Sequence, residues 1–512
     1  MLPPSYLDRM PDAFVQLWQQ VEDEILQDVA RRIGKMDAVT PTANWQLWRY
    51  QQTEALRNDV VKLLAKYTGK SEAAIRRLLL QAATEAMERE DAIYYHYGKE
   101  PQPFEESAAL NNLLDAGARQ TCGTWQNLTA TTANTVTGAF ERTLDAAWLK
   151  VSTGAFDYKA AVKQAVDSLA DDMPMVTYPS GHKDSIEVAA RRAVLTGVNQ
   201  TCGKLQEARM DEMGCEFVET SAHGGARPSH AEWQGRQFHR GGAVTYKGKY
   251  YPDFYEATHY GSGDGIYGWN CSHTHFAIFP ELGAPPQWTQ EQLQELNARD
   301  IEWNGKKYTT YEISQMQRAR ERNVRRWKKR YLAEDAAGLD PTDAAVRLRA
   351  ARQSLAEFAQ ATAGRVDSAR TSVPKFGRSE GSRASWAAKG YEKQQKDAII
   401  IENLRTAAKL PKAAVIHLEP TKINVDALTF DDAHINAERE YRVSEEQAKQ
   451  YIRNAKISVS VWNGQFERYY GTEGAAYVNT IKHEIRTAYS RAEFDENTTA
   501  LIEEMKKNGI LG

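Results

Sequence analysis

From Pro11 to Ile33 the apolar residues Phe14, Leu17, Trp18, Val21, Ile25 and Val29 recur at intervals of three and four. That spacing lines one face of an α-helix, and Gly34 ends it. The same pattern predicts a helix from Pro41-Thr42 to near Gly69 and another, capped by Ser71, that runs through Ile75, Leu78, Leu79, Ala82 and Met87. Residues 104–118, 135–151 and 158–169 read alike, and Asp184 to Met213 forms a last helix stopped by Gly214. The Thr-rich run 127–134 reads as a joint, because hydroxyls at that density cap helix ends. Residues 1–213 are therefore predicted to be an α-helical region.

The helical period is lost between Cys215 and Pro280. Glycines 224, 225, 235, 241, 242, 248, 261, 263, 265 and 268 interrupt every helix or strand pattern, which predicts a loop-rich module over 214–285. Helix returns at 309–334, with Ile313, Met316, Val324, Trp327 and Tyr331 on one face, and again at 341–364, giving a helical hairpin over 286–364. Residues 365–383, rich in Ser, Gly and Arg, read as a linker. From 384 to 512 the pattern becomes α+β: a strand at 413–418, a capping box at Ser444, then strands around Ser458 and Arg468 joined by the turn Asn463-Gly464. Strands at 475–479 and 485–489 and a helix capped by Asp495 complete an antiparallel meander. The fold expected is multidomain: a mainly α-helical N-terminal region, a loop-rich central module, a helical hairpin and a C-terminal α+β domain.

If that turn holds two residues, Val461 faces Phe466, Val459 faces Arg468 and Ile457 faces Tyr470. Arg468 then lies among apolar side chains and needs a carboxylate, a phosphate or the sheet edge, unless a bulge turns it to solvent.

Charge and cysteine usage narrow the chemistry. Over 512 residues the net charge is only -3, so nucleic acid contact must be local. The local candidate is the basic helix at 318–330, where Glu321 is the one opposing acid; it would meet the phosphates of DNA, an acidic neighbouring subunit or solvent. Cysteines 122, 202, 215 and 271 have no CxxC spacing, which fits a reducing compartment. MLPPSYLDRM has no signal-peptide pattern and no apolar run reaches membrane length, so folding in a cytoplasm without membrane contact is expected.

In the central module His223, His230, Cys271 and His273, with His275 nearby, are candidate metal ligands, and zinc would hold a glycine-rich module that has little apolar core. The alternative is that these histidines bond backbone carbonyls around an aromatic core of Trp233, Trp269, Tyr250, Tyr251, Phe254 and Tyr260.

The run His223-Gly224-Gly225-Ala226-Arg227-Pro228-Ser229-His230, then Trp233-Gln234-Gly235, then Gly263-Asp264-Gly265 and Gly268-Trp269-Asn270-Cys271 through Phe279-Pro280, resembles the phage minor capsid protein family, relatives of the Mu-type head morphogenesis proteins. The resemblance extends back through Arg191 to Gln200, which favours Arg191 and Arg192 holding the module's carbonyls over their being simply solvated. It implies a few-copy virion component near the portal vertex, assembled in the bacterial host cytoplasm. Its work there would be head assembly and DNA packaging, in contact with portal protein and other capsid subunits. Related Mu-type proteins often carry Cys-x-Cys where this chain has Cys271 and His273.

The C-terminal domain, with His434 and Arg439 in DDAHINAERE and Arg486-Thr487 on the last strand, resembles the barnase/EndoU/colicin/RelE-like nuclease superfamily. Metal-independent RNA cleavage needs a base, an acid and cations on the phosphorane. His434 would be base or acid, with Arg439, Arg468 and Arg486 on phosphate and Thr480 or Thr487 orienting RNA. The alternative is that His434 is an ordinary surface residue and that the arginines pair with Glu438, Glu440 and Glu467. On the enzyme reading the chain is a virion-delivered toxin. ADP-ribosyltransferase chemistry ranks below ribonuclease, because Ser458-Val459-Ser460 is present but no well-placed Glu-x-Glu follows.

Overall fold

The computed structural model describes residues 2–36, 42–153, 157–172, 176–178, 180–283, 285–437 and 439–511; Pro41 and Glu438, named above, lie outside them. The chain divides into two compact units, 1–387 and 388–512.

In the first unit, helices Asp12–Gly34, Thr42–His96, Ala108–Ser152, Tyr158–Asp172 and Ile186–Met213 enclose one apolar core, in which Trp18 and Trp125 meet edge to face at 5.0 Å. The helix breaks expected at Gly69 and at 127–134 do not occur. Ser71 donates its hydroxyl to the Tyr67 carbonyl at 2.8 Å, one turn back in a continuous helix. Thr129, Thr131 and Thr132 donate likewise to Gln126, Asn127 and Leu128, at 2.7, 3.1 and 2.7 Å. A hydroxyl that bonds backward is satisfied inside a helix, and buried Trp125, Ala133 and Val136 on either side carry the helix across.

Helices Ala108–Ser152 and Ile186–Met213 cross where each lacks a side chain. A Cβ on Gly117 would lie 2.2 Å from Thr201 Oγ1, and one on Gly197 2.4 Å from Thr121 Oγ1. Each glycine receives the other helix's threonine, which fixes the axial register of Ile186–Met213.

The basic helix, Thr310–Ala336, finds acids inside the chain, an outcome the reading from sequence did not weigh. Arg325 pairs with Glu187 at 2.7 Å, Arg326 with Asp171 at 2.6 Å and Lys329 with Glu22 at 2.5 Å. Arg330 reaches Asp167 and Glu334, and Arg320 lies 4.0 Å over the Phe358 ring of helix Thr342–Ala361. Apart from Glu334, one turn on in the same helix, the acids belong to helices distant in sequence, so the local charge run overstated how much positive charge is free for phage DNA. Burial pushes Asp23, beside this clasp, up to about 8.

The loop-rich module contains a three-stranded sheet, Gln237–His239, Phe217–Thr220 and His275–Ala277, with Phe217–Thr220 central. In the segment expected to be a linker lie helix Ser368–Thr371 and the start of helix Arg378–Ala407.

The second unit is a six-stranded sheet in the order Val415–His417, Ile457–Val461, Phe466–Tyr470, Gly474–Asn479, Glu484–Ser490 and Thr429–Phe430. All neighbours are antiparallel except the last pair. One face packs on Leu501, Ile502 and Met505 of helix Glu496–Lys507, the other on Ala448, Tyr451 and Ile452 of helix Glu445–Arg453. The hairpin has the expected register, Val461 opposite Phe466, Val459 opposite Arg468 and Ile457 opposite Tyr470. No bulge turns Arg468 outward; its guanidinium lies 4.9 Å over the ring of Tyr477, its partner on the next strand. An aromatic face is a solution for a half-buried cation that the sequence reading did not weigh.

Candidate metal centre

The module is tied to helix Ile186–Met213 by side chains on one face of that helix. Asn199, fully buried, donates to the carbonyls of Cys271 at 2.9 Å and His273 at 3.1 Å. Gln200 donates to Tyr267 O at 3.1 Å and Gln206 to His275 O at 2.9 Å. These residues do the work expected of Arg191 and Arg192, which instead bind the Asp8 carbonyl and Asp12 in one case and Asp184 in the other. The difference is about two helical turns, and the i, i+7 pair Asn199 and Gln206 was the signal available in the sequence.

A second tie is ionic. His275 Nε2 lies 2.8 Å from Glu207 Oε1, Tyr255 donates to Glu207 Oε2 at 2.6 Å, and Arg240 meets the same oxygen at 2.6 Å. Tyr267 donates its hydroxyl to His275 Nδ1 at 2.6 Å. Burial pushes the Glu207 carboxyl up, but His275, Tyr255 and Arg240 outweigh it and hold the group at about 2. Sequence spacing had placed His275 beside Cys271 and His273 as a further ligand candidate, whereas the structure commits it to this network.

Cys271, His273 and His230 converge at one buried point. His230 Nδ1 and His273 Nδ1 are 3.2 Å apart, and Cys271 Sγ lies 4.0 Å from the first and 3.8 Å from the second. His230 Nε2 is 2.7 Å from the Asp264 carbonyl. His273 Nε2 is 3.1 Å from Gln234 Oε1, which also accepts the His223 backbone N–H at 3.1 Å. The fourth candidate, His223, stacks its ring 4.4 Å from that of His273. Its Nδ1 is 3.1 Å from the Gly224 carbonyl, while Nε2 is buried with no partner. Trp233 closes the cluster, its ring 4.6 Å from His230 and 4.9 Å from His273.

Burial governs the protonation of these groups. It lowers His230 to about 4 and His273 well below the usual imidazole range, and raises the Cys271 thiol to about 11. Neutral imidazole is the form that ligates a metal, whereas sulfur ligates as the thiolate, so Cys271 would have to give up its proton on binding. The aromatic-core alternative holds for part of the module: Trp233, Tyr251 and Phe254 are buried, while Trp269 and Tyr250 are exposed.

In the second unit the residues proposed for RNA cleavage are only partly assembled. Arg439 donates to Thr487 Oγ1 at 2.6 Å and to the Ala488 carbonyl. Thr487, Tyr477 and Arg468 are successive cross-strand partners, so Arg468 shares that row. His434 is exposed on the short helix Asp432–Ile435, Thr480 donates to Gly464 O at 2.7 Å, and Arg486 pairs with Glu484 at 3.2 Å. Among the described residues no hydrogen bond or ion pair joins these three to Arg439 and Thr487.

Among the described residues no helix is long and apolar enough to cross a membrane. Comparison with curated proteins and with solved structures gives no match. Residues 2–360, which include the whole convergent His/Cys cluster and its anchoring helix, match the family Phage minor capsid protein 2, and the chain belongs to that family.

Proposed function

We propose that this minor capsid protein is a few-copy virion component near the portal vertex, acting in head assembly and DNA packaging through contacts with portal and other capsid subunits. The observation that carries this reading is the family match over 2–360, which coincides with a unit whose charged groups are engaged in its own packing. Cations of the 318–330 helix that serve as internal clasps favour protein contacts over DNA as its mode of action. The test is deletion from the phage genome with complementation in trans. Heads that fail to fill, and capture of the portal subunit by the full chain, are expected; particles that form, fill and infect normally without it would overturn the reading.

A second reading concerns residues 388–512 alone, as an RNase-like effector in which Arg439, Thr487 and Arg468 occupy one sheet face. Total RNA incubated with the full chain, beside Arg439→Ala and His434→Ala variants, distinguishes the cases. Intact RNA in all three samples removes the nuclease and leaves the assembly role untouched.

A further inference from the structure

The hydrogen bonds around His230 and His273 fix which ring nitrogens carry protons. The Asp264 backbone carbonyl can only accept, so His230 Nε2, 2.7 Å away, is an N–H. Gln234 Oε1 receives the His223 backbone N–H, which can only donate, so this atom is the amide oxygen and His273 Nε2 opposite it is also an N–H. Asn297 confirms that orientation: its Nδ2 donates to Leu293 O at 2.9 Å, so its Oδ1 faces Gln234 Nε2 at 3.2 Å.

With Nε2 an N–H on both rings, the two Nδ1 atoms face each other across 3.2 Å, a gap that one shared proton at most could bridge. The Cys271 thiol has one proton, can satisfy one of them at most, and lies 3.8 to 4.0 Å away. His223 donates from Nδ1 to Gly224 O, and its buried Nε2 has no partner. Two facing ring nitrogens and a sulfur brought to one buried point are a repulsive arrangement unless a cation stands between them.

The dimensions fit such a cation. Tetrahedral zinc bonds nitrogen at about 2.0–2.1 Å and sulfur at about 2.3 Å, which places two nitrogen ligands about 3.3 Å apart and nitrogen and sulfur about 3.6 Å apart. The observed separations, 3.2, 3.8 and 4.0 Å, form that triangle with the sulfur slightly withdrawn.

We propose that His230 Nδ1, His273 Nδ1 and Cys271 Sγ bind one zinc ion, and that the neighbouring His223, whose buried Nε2 has no partner, turns in as the fourth ligand of a closed structural site. On binding, Cys271 releases its thiol proton to solvent and the three imidazoles bind neutral, so no other group need change protonation. The Asp264 carbonyl and Gln234 Oε1 serve as the outer acceptors that orient metal-bound histidines and raise their basicity. Four protein ligands leave no open position for a reacting water, so the ion braces the module and performs no chemistry.

The experiment uses the full, tag-free chain. Elemental analysis after exposure to zinc and removal of excess should give close to one zinc per chain. Replacement by cobalt should give the thiolate-to-cobalt charge-transfer absorption together with the intense visible bands of a tetrahedral ion. Cys271→Ser should lose the charge-transfer band, and Gln234→Leu should keep it while zinc affinity falls about 10–100-fold. Zinc content well below one per chain, or equal content in the Cys271→Ser/His273→Ala double variant, overturns the proposal. Should the variants fail to fold, the wild-type chain decides: its melting temperature should fall in chelator and recover with zinc, and unchanged melting overturns the site.

Discussion

The central module and the C-terminal sheet solve the same problem by opposite means. The sheet alternates apolar and polar positions, so Ile457, Val459, Val461 and Tyr470 build one face from many interchangeable contacts. The module has few such runs, and its loops hang on a handful of polar side chains: Asn199, Gln200, Gln206, Glu207 and Gln234. Apolar burial is non-directional and spreads its contribution over area, whereas a buried hydrogen bond matters chiefly when its partner is removed. Stability in the module is thus concentrated in single groups, and in the sheet it is distributed.

The largest effect that would test this contrast comes from Gly265→Ala. A Cβ there would sit 1.9 Å from the His259 carbonyl oxygen and 2.6 Å from that of Thr258, both backbone atoms that no rotamer change can move. A loss of about 3 kcal/mol or more is expected, with amides of the module losing protection in hydrogen exchange. Gly464→Ala in the hairpin turn, where φ is +83° and nothing lies within 4 Å of the added methyl, should cost only about 1 kcal/mol. Equal losses in urea unfolding would mean that the module is no more sensitive than the sheet.

Next is the acid response of the Glu207 network. Glu207 is held at about 2 against an ordinary 4.5, so its contribution is complete above about 4.5 and is lost as pH falls towards 2. The shift corresponds to roughly 3 kcal/mol for this mostly buried carboxylate. Melting curves from pH 6 downwards should show the wild-type chain losing stability steeply below about 4.5, and Glu207→Gln should flatten that limb. Parallel curves for the two proteins would remove the ionic tie from the account.

Asn199→Ala is smaller again, at about 2 kcal/mol, because it strips the donor from the Cys271 and His273 carbonyls without introducing a clash. Asn199→Ala should also raise exchange of amides near 271–275 more than elsewhere. A loss spread evenly over the chain would argue that the helix, rather than its bond to the module, had been weakened.

How far each region could be read in advance follows from the same difference. The hairpin register, the Asp495 cap and the capping box at Ser444 were legible because each is local, a period of two or a spacing of three. His230, Cys271 and His273 were legible as residue types, but Gln234 was legible only as part of the Trp233-Gln234-Gly235 motif, with nothing to mark it as the acceptor that sets the His273 tautomer. The acids of the basic helix were missed because Glu22, Asp171 and Glu187 lie more than a hundred residues away in sequence. The joint at 127–134 was misread because the same threonine hydroxyl either caps a helix or bonds backward within one, and only the packing of its neighbours decides.

The smallest effect probes the sheet at a place where it resembles the module, a polar group among apolar neighbours. Arg468 stands opposite Val459 and lays its guanidinium on Tyr477, whose hydroxyl meets those of Tyr470 and Tyr489. Arg468→Met keeps the aliphatic stem packed on the strand and removes only the cation, so about 0.5–1 kcal/mol should be lost in urea unfolding. Were the group held as Asn199 is, by bonds that leave buried partners stranded, the loss would exceed 2 kcal/mol. A small value therefore keeps the sheet in the distributed class even where a cation lies among its apolar side chains. It also makes Arg468→Met a folded variant in which RNA cleavage by residues 388–512 can be tested free of instability.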